Sequence, residues 1–362
     1  MDYHKPVTNG PNDLGFDYSF ILPASLDMPP YLFLRNQQPV DPDIVLTADV
    51  YPKKLERTVY AADKKHINEN NDVYWDRGVW WRNGEMSQSF KMEDCLDVIV
   101  EEGLSFIERQ HRENPQSPFM LYLPLTGPHT PWLPNDQFKN SSEIGTYGDF
   151  IAQIDDVVFR INTLLERLGI DENTIVIFTS DNGSPWEEED TLLYGHASNT
   201  PWRGQKGDAW EGGHHVPLFM QWPAKIKENR DYRHTVSLID LLATFAEMTG
   251  QPLQEQQAED SFSFYEVFEG QDIPVRDHLI YISSSGKLAI TRGDWKFIDA
   301  VGSAGFTFPS NLKPVPGGPE GQLYNLREDP AEQHNLYPHH RDRVESLSRL
   351  MEQVVEKGHS RY

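Results

Sequence analysis

Three side chains in the middle of the chain have the chemistry to bind an anion together with a hard metal ion. Asp181 and Asn182 follow the apolar run at residues 174–180, and Lys206 is flanked by two nearby glycines. A carboxylate beside an amide oxygen suits Ca²⁺ or Mg²⁺ better than zinc. A lysine in glycine-rich backbone offers a compact positive charge to an anion. Asp-Asn-Gly is also a common turn sequence, so these residues alone leave an ordinary turn and an exposed lysine open.

Hydrophobic periodicity predicts the elements that would position these residues. The β-branched run at 174–180 is typical of a buried parallel strand, and residues 119–125 predict a second strand that ends just before His129. Residues 145–169 between them have the apolar stripe of an amphipathic helix. Strand, helix, strand in this order predicts a right-handed crossover and a parallel pair. The loops with His129 and Asp181 should then open on the same edge of the sheet.

The remaining periodicity completes an α/β prediction. Helical spacing recurs at residues 92–110 and 237–250, and a further strand is predicted from residue 215. After about residue 275 the pattern changes to short strands at 278–282, 287–291 and 295–298, which indicates an antiparallel meander, and a last helix is predicted at 342–357. We predict a mostly parallel sheet flanked by helices over residues 1–274 and a small C-terminal antiparallel α+β subdomain over 275–362.

Composition limits the class of partner. The 362 residues contain 32 Lys and Arg against 56 Asp and Glu, a formal net charge of −24. This charge argues against nucleic acid and anionic membranes as partners, and no apolar run is long enough to span a bilayer. If the substrate is an anion, binding must depend on local cations such as Lys206, Arg203 and the histidines. The single cysteine, Cys95, excludes an internal disulfide framework.

Three blocks of sequence, taken in chain order, share their residue types with one enzyme family. They are Phe-Met-Leu-Tyr-Leu-Pro-Leu-Thr-Gly-Pro-His-Thr-Pro-Trp at 119–132; Ser-Asp-Asn-Gly at 180–183 with Trp-Arg-Gly-Gln-Lys at 202–206 and Glu-Gly-Gly-His-His-Val-Pro at 211–217; and Gly-Gln-Leu-Tyr-Asn-Leu-Arg-Glu-Asp-Pro-Ala-Glu-Gln-His-Asn-Leu at 321–336. In this order they resemble the type I sulfatases, the arylsulfatase-like branch of the alkaline-phosphatase-like superfamily.

The resemblance implies a sulfuric ester hydrolase that acts on a sulfated saccharide or an aryl sulfate. By resemblance, Asp181 and Asn182 supply two ligands of a calcium ion, while Lys206 and His129 contact the sulfate and assist the leaving group. Prolines on both sides of His129 fix its backbone, which also indicates a deliberately placed side chain. The family's nucleophile is a hydrated formylglycine made from a Cys or Ser.

Four further residues are candidates for substrate binding: Asp27, His196, Arg203 and His214. Asp27 lies in Ala-Ser-Leu-Asp-Met-Pro-Pro-Tyr, which resembles a substrate-side loop, although a proline-stiffened surface loop stays open as an alternative. His196 resembles a residue near the substrate, and an ordinary loop role stays open for it. The Trp-rich loop from Trp75 to Arg82 is compatible with a sugar site or with packing of a lid.

The Cys- or Ser-x-Pro-x-Arg motif of the family and its Asp-Asp pair have no match in the chain. Cys95 has no Pro or Arg after it and is predicted to be a small helix residue. The first residues resemble the interior of a sulfatase and lack a secretory signal, so we expect the chain to begin in mid-fold. Sulfatases are mostly exported, and the location of this chain is left open. We expect this polypeptide alone to be poorly stable and inactive.

Three interpretations are compatible with these residues. The first is a sulfatase in an incomplete form. The second is a phosphatase or phosphodiesterase of the same superfamily, although those usually bind two zinc ions through several His and Asp ligands. The third is a non-catalytic relative that binds a sulfated glycan without turnover.

Overall fold

The chain divides into two compact units. A computed structural model describes residues 3–51, 81–226 and 229–361. The first unit is Met1–Ile170 and the second is Asp171–Tyr362. The boundary predicted between residues 274 and 275 lies inside the second unit and stays a prediction.

The first unit combines short antiparallel ladders with two long helices. Its strands and helices are β1 (Phe20–Ile21), β2 (Leu34–Arg35), β3 (Gln38–Pro39), β4 (Ile44–Leu46), α1 (Thr47–Val50), β5 (Glu85–Ser87), α2 (Cys95–Glu113) and α3 (Gly145–Leu168). Strands β1, β2 and β3 form one sheet, and β4 pairs with β5. Tyr31, Trp81 and Met86 form the centre of the unit's main core cluster. Trp81 is therefore a core residue in edge contact with Tyr51, at 5.8 Å between ring centroids, and not part of an exposed sugar platform. Trp75 and Trp80 lie outside the described residues.

The two long helices confirm the helical predictions. Helix α2 begins at Cys95, whose thiol is buried and has a raised pKa because of that burial. Helix α3 buries Phe150, Ile154 and Val157 and ends at Gly169, which adopts a left-handed backbone with a φ of 66°. Only glycine takes this conformation without cost, and this explains why the helix stops there.

The predicted strand at residues 119–125 does not form. This stretch has no ladder partner among the described residues, although its side chains alternate in exposure as they would in a strand. Met120 and Tyr122 are exposed, while Leu121 and Leu123 are partly covered. Period-2 alternation predicts an extended backbone, but a strand also needs a neighbour for its N–H and C=O groups.

The second unit begins with a two-stranded ladder. Its strands and helices are β6 (Val176–Thr179), α4 (Glu188–Tyr194), α5 (Glu211–His214), β7 (Leu218–Gln221), α6 (Asp240–Met248), α7 (Tyr265–Phe268), β8 (Leu279–Ile282), β9 (Leu288–Arg292), β10 (Trp295–Ile298), β11 (Gln322–Asn325) and α8 (Arg341–Lys357). Strand β6 pairs antiparallel with β7 and is half-buried throughout, so the prediction of a buried parallel strand was wrong for this stretch. A ladder of two strands leaves both faces only partly covered.

The C-terminal part of the second unit confirms the predicted meander. Strands β8, β9, β10 and β11 form one antiparallel sheet in the order β11-β10-β9-β8. Helix α8 packs Val344, Leu347 and Met351 into a cluster with Ile290 and Phe297 of that sheet. No helix within the described residues is both long enough and apolar enough to cross a membrane.

Candidate functional site

In the first unit, the structure brings Asp27 and His129 together. Asp27 lies in a tight turn and is 5 % exposed. One oxygen, Oδ2, lies 3.4 Å from Nη1 of Arg82, and the main-chain N–H of Arg82 donates to the carbonyl of Asp27. The other oxygen, Oδ1, is buried, has no hydrogen-bond partner among the described residues and lies 4.0 Å from Nδ1 of His129. Burying a carboxylate oxygen without a hydrogen-bond donor costs free energy, so Oδ1 is an acceptor that still lacks a donor.

The ring of His129 is held by its own loop. Nδ1 lies 2.7 Å from the carbonyl oxygen of Thr130, which can only accept, so Nδ1 carries the proton in the neutral ring. Nε2 is then the nitrogen that takes up or releases a proton. The side chain is partly exposed, so Nε2 can serve a bound molecule as an acid or a base.

In the second unit, Asp181 and Asn182 directly follow β6 in a loop of close backbone contacts. A Cβ atom on Gly183 would lie only 1.8 Å from the carbonyl oxygen of Gly212, so only glycine fits there. The N–H of Gly183 donates to the carbonyl of Gly213 at 3.1 Å. Asn182 uses Nδ2 on the carbonyl of Gly183, which leaves its Oδ1 for a ligand, and Asp181 is exposed.

The loop that contains Lys206 is tied to this segment. The N–H of Lys206 donates to the carbonyl of Ser184 at 3.3 Å. The side chain of Asn199 accepts from the N–H of Ser184 and donates to the carbonyls of Ser184 and Gly204. Gly204 has a φ of 87°, the left-handed conformation that favours glycine. The ammonium of Lys206 has no carboxylate within 4.0 Å in the described part of the chain. The structure thus holds an unneutralised lysine next to the Asp-Asn loop.

The three other candidates in this unit have packing roles in the structure. The guanidinium of Arg203 stacks on Trp210 at 3.6 Å and donates from Nη1 to the carbonyl of Glu332. His196 shares a hydrogen bond with Ser198 and packs against Trp186, whose Nε1 donates to the carbonyl of His196. Their predicted contacts with substrate stay predictions.

His214 is a neutral side chain in this environment. Its ring lies 4.5 Å from the ring of Tyr281, and its buried Nε2 has no hydrogen-bond partner in the described part of the chain. Burial, reinforced by the positive charge of Lys296, lowers the pKa of His214 to about 4. At neutral pH His214 therefore offers a hydrogen-bonding nitrogen but no cation to a bound anion.

Sequence reasoning missed a buried charge cluster that supports this loop. The ammonium of Lys296, on β10, is fully buried and lies 2.9 Å from Oε1 of Glu211 and 2.9 Å from Oε1 of Glu332. Tyr281 and His215 also contact the carboxylate of Glu211. We predicted the stretch around Lys296 only as a strand, and a lysine in a short strand is normally placed on the solvent face. In the sequence, only the acidic residues of the 211–217 and 321–336 blocks point to this cluster.

The cluster shifts its members' pKa values in opposite directions. Burial raises the pKa of Glu332 to about 7; Lys296 partly offsets this rise, and Glu211 adds to it. For Glu211, burial alone would raise the pKa, but Lys296 and then His215 hold it below its usual value. For Lys296, burial alone would lower the pKa, but Tyr281 and the two glutamates raise it. One lysine between two carboxylates leaves a net negative charge, and Glu332 is the group that relieves it by protonation.

The described residues complete no metal site. They contain no group of three or more His, Cys, Asp or Glu side chains placed to hold an ion. Asp181 and Asn182 supply hard oxygens of the type that Ca²⁺ prefers, but such an ion takes about six to eight of them. These two residues therefore fit part of a calcium site.

The chain is similar to sulfatases over most of its length. The family model described as "Sulfatase" matches residues 36–251. An N-acetylgalactosamine-6-O-sulfatase of Bacteroides thetaiotaomicron is 32% identical over 369 residues, which cover 98% of this chain and 71% of that protein. An N-acetylgalactosamine-6-sulfatase of Mus musculus is 29% identical and shares 79% of this chain and 58% of its own length. The chain thus spans between about half and three quarters of these relatives.

Solved structures agree with the fold. A 6S-sulfatase structure from work on glycosaminoglycan metabolism by Bacteroides thetaiotaomicron superposes with a TM-score of 0.80 at 32% identity, covering 98% of this chain and 75% of that one. A sulfatase structure from Pseudoalteromonas sp. has a TM-score of 0.64 at 21% identity and covers 80% of this chain and 58% of that one, which shows the fold alone. These structures confirm the predicted α/β fold class, although the ladders described above are antiparallel.

Proposed function

Because this chain belongs to the sulfatase family, whose members hydrolyse sulfuric esters, we propose that its substrate is a sulfated carbohydrate with a 6-sulfated N-acetylgalactosamine unit. The names of two relatives from distant organisms support this substrate class. The observation that carries the proposal within this chain is the ammonium of Lys206, which has a fixed backbone and no carboxylate within 4.0 Å among the described residues.

Lys206 binds the sulfate group in this proposal. The chain has a formal net charge of −24, so an anion gains no general attraction from the protein. A single ammonium supplies a charge-assisted hydrogen bond, worth about 1.5–3 kcal/mol. His214 is uncharged at neutral pH, so it adds hydrogen bonding rather than charge.

His129 is the proposed acid for the leaving oxygen. Its Nδ1–H is bound by the carbonyl of Thr130, so the ring acts as an acid when Nε2 is also protonated, and the proton given to the leaving oxygen comes from Nε2. We propose Asp27 as a residue that positions His129, because its buried carboxylate lies beside the ring, with Oδ1 4.0 Å from Nδ1.

Asp181 and Asn182 are the proposed metal ligands of this chain. They would hold Ca²⁺, which in a sulfatase neutralises charge on the sulfate, as two oxygen donors out of about six to eight. Titration calorimetry with CaCl₂ tests this role without any need for activity. The variant Asp181→Asn should bind Ca²⁺ more weakly than the unchanged chain.

The nucleophilic step is not assigned to any residue of this chain. The single cysteine, Cys95, is buried at the start of α2, and its thiol has a raised pKa because of that burial. A nucleophile must be accessible and readily ionised, so Cys95 does not fit the role.

Binding of three matched saccharides tests the proposal. The probes are N-acetylgalactosamine 6-sulfate, the corresponding 6-phosphate and unmodified N-acetylgalactosamine, each titrated into the chain by calorimetry. We expect the sulfated sugar to bind most tightly, and Lys206→Met to weaken it about tenfold or more. Lys139→Met is the control, because Lys139 already pairs with Asp136 at 2.9 Å on the surface. Tighter binding of the phosphate, or equal binding by Lys206→Met and Lys139→Met, would contradict the proposal.

A further inference from the structure

The loop at residues 302–310, here called the aromatic loop, exposes two phenylalanine side chains. Phe306 is 59 % exposed and Phe308 is 91 % exposed. Scattered exposed apolar side chains are normal, but two aromatic rings two residues apart on one loop form an apolar surface that needs an explanation.

This exposure is not the result of a loose loop. The N–H of Thr307 donates to Oδ1 of the fully buried Asp208 at 3.0 Å, and its hydroxyl donates to Oδ2. Ser303 adds two bonds within the loop, from its hydroxyl to the carbonyl of Thr307 and from the N–H of Gly305 to its hydroxyl oxygen. The backbone between the two rings is thus fixed on both sides of residue 307.

The same carboxylate fixes the backbone around Lys206. Oδ2 of Asp208 also accepts from the N–H of Gln205 at 2.9 Å. A Cβ atom on Gly207 would lie 3.3 Å from Cε1 of Phe306, so this ring borders the residue that follows Lys206. Asp208 therefore sets the position of the cation-bearing loop and of the aromatic loop together.

We propose that Phe306 and Phe308 form a platform for the sugar ring of the substrate whose sulfate binds to Lys206. The inference rests on the function proposed above and adds the residues that recognise the carbohydrate. A pyranose has a face of C–H groups, and such a face packs on an aromatic ring while the hydroxyl groups stay in water. The adjacent cation accounts for the charged part of the ligand, and the rings account for its apolar face.

Two probes separate the platform from the anion site. We would titrate the chain with N-acetylgalactosamine 6-sulfate and with inorganic sulfate. The double variant Phe306→Ala/Phe308→Ala should bind the sulfated sugar about 3- to 10-fold more weakly and inorganic sulfate unchanged. The variant Phe306→Tyr/Phe308→Tyr keeps both ring faces and should retain the affinity for the sugar.

A matched control comes from the same unit. Phe219 on β7 is 67 % exposed, and Phe219→Ala should leave both affinities unchanged. Equal affinity of the double alanine variant and the unchanged chain for the sugar would overturn the platform while leaving the anion site intact. Failure of the unchanged chain to bind inorganic sulfate would overturn the proposed function and the platform with it. Self-association that the alanine variant abolishes, with no change in sugar affinity, would show that the rings bind a second copy of the chain instead.

Discussion

The substitution Lys296→Met tests the buried charge cluster most directly. It removes the one cation that lies 2.9 Å from both Glu211 and Glu332 and replaces it with a side chain of similar length. Breaking a buried ion pair from one side costs about 3–5 kcal/mol, because it leaves a charge without water or a partner. Since a folded protein is stable by about 5–15 kcal/mol in total, this loss is a large fraction of it.

The loss of stability in Lys296→Met should depend on pH, because the charge of the cluster depends on pH. Glu332, whose pKa is raised to about 7, can take up a proton and relieve part of the repulsion once Lys296 is gone. We therefore expect the smallest loss near pH 5, where Glu332 is protonated, and a larger loss at higher pH, where the variant must either bury two charged carboxylates or take up a proton. At pH 7 the loss should be near the lower end of the range, about 3 kcal/mol.

Urea unfolding measures this loss, and a surface pair provides its control. Lys139 and Asp136 are also 2.9 Å apart, but Asp136 is exposed and Lys139 is only partly buried, so Lys139→Met should cost only about 0–1 kcal/mol. Hydrogen exchange should place the loosening caused by Lys296→Met in β9 and β10, since Lys296 lies on β10. A loss below about 1 kcal/mol, or one equal to that of Lys139→Met, would refute the view that Lys296 is held as a buried ion.

Three further substitutions give distinct results. Folding raises the pKa of Glu332 from 4.5 to about 7, so the folded state holds a proton that the unfolded state releases, and stability should fall as pH rises between these values. Folding lowers the pKa of His214 from 6.5 to about 4, so stability should rise with pH across that interval. The two effects oppose each other. Between pH 4.5 and 6.5, urea unfolding should show Glu332→Gln gaining and His214→Asn losing about 2 kcal/mol of stability relative to the unchanged chain; parallel curves would contradict this. In Gly183→Ala the added Cβ would meet the carbonyl oxygen of Gly212 at 1.8 Å, so this variant should lose at least about 1–3 kcal/mol of stability in urea unfolding and bind sulfate more weakly in calorimetry. Gly103→Ala is the control and should cost less, because the nearest contact of its Cβ would be at 3.1 Å. Equal costs would argue against the close backbone approach at Gly183.

The sequence predicted what local periodicity and motif spacing determine. The amphipathic stripes gave α2, α3 and α8 within a few residues of their bounds, because an apolar face of period 3.6 needs only one covering surface. The turns of the C-terminal meander gave β8, β9 and β10 for a similar reason, since short loops leave consecutive strands no neighbour but each other. The roles of Asp181, Asn182 and Lys206 came from the family resemblance rather than from residue type alone, and they stay predictions.

Partners distant in sequence were not predictable in this way. Residues 119–125 have the alternation of a strand but no ladder among the described residues, and β6 pairs with β7 instead. Lys296 sits in a pattern that normally places lysine in water, and its burial depends on Glu211, 85 positions away. Long-range pairing and buried charge depend on tertiary contacts that no local pattern encodes.

The polar contacts of the second unit indicate what its C-terminal part supports. Asp208 is bonded to Thr307, the N–H of Ala209 donates to the carbonyl of Ser303, and the indole of Trp210 donates to Oε1 of Gln322. These bonds connect three consecutive residues after Lys206 to segments that lie about 100 positions further along the chain. Since each of the three is almost wholly buried, moving any one of them would leave polar groups unpaired. The meander and its loops therefore fix the backbone around Lys206, the residue that we propose binds the sulfate.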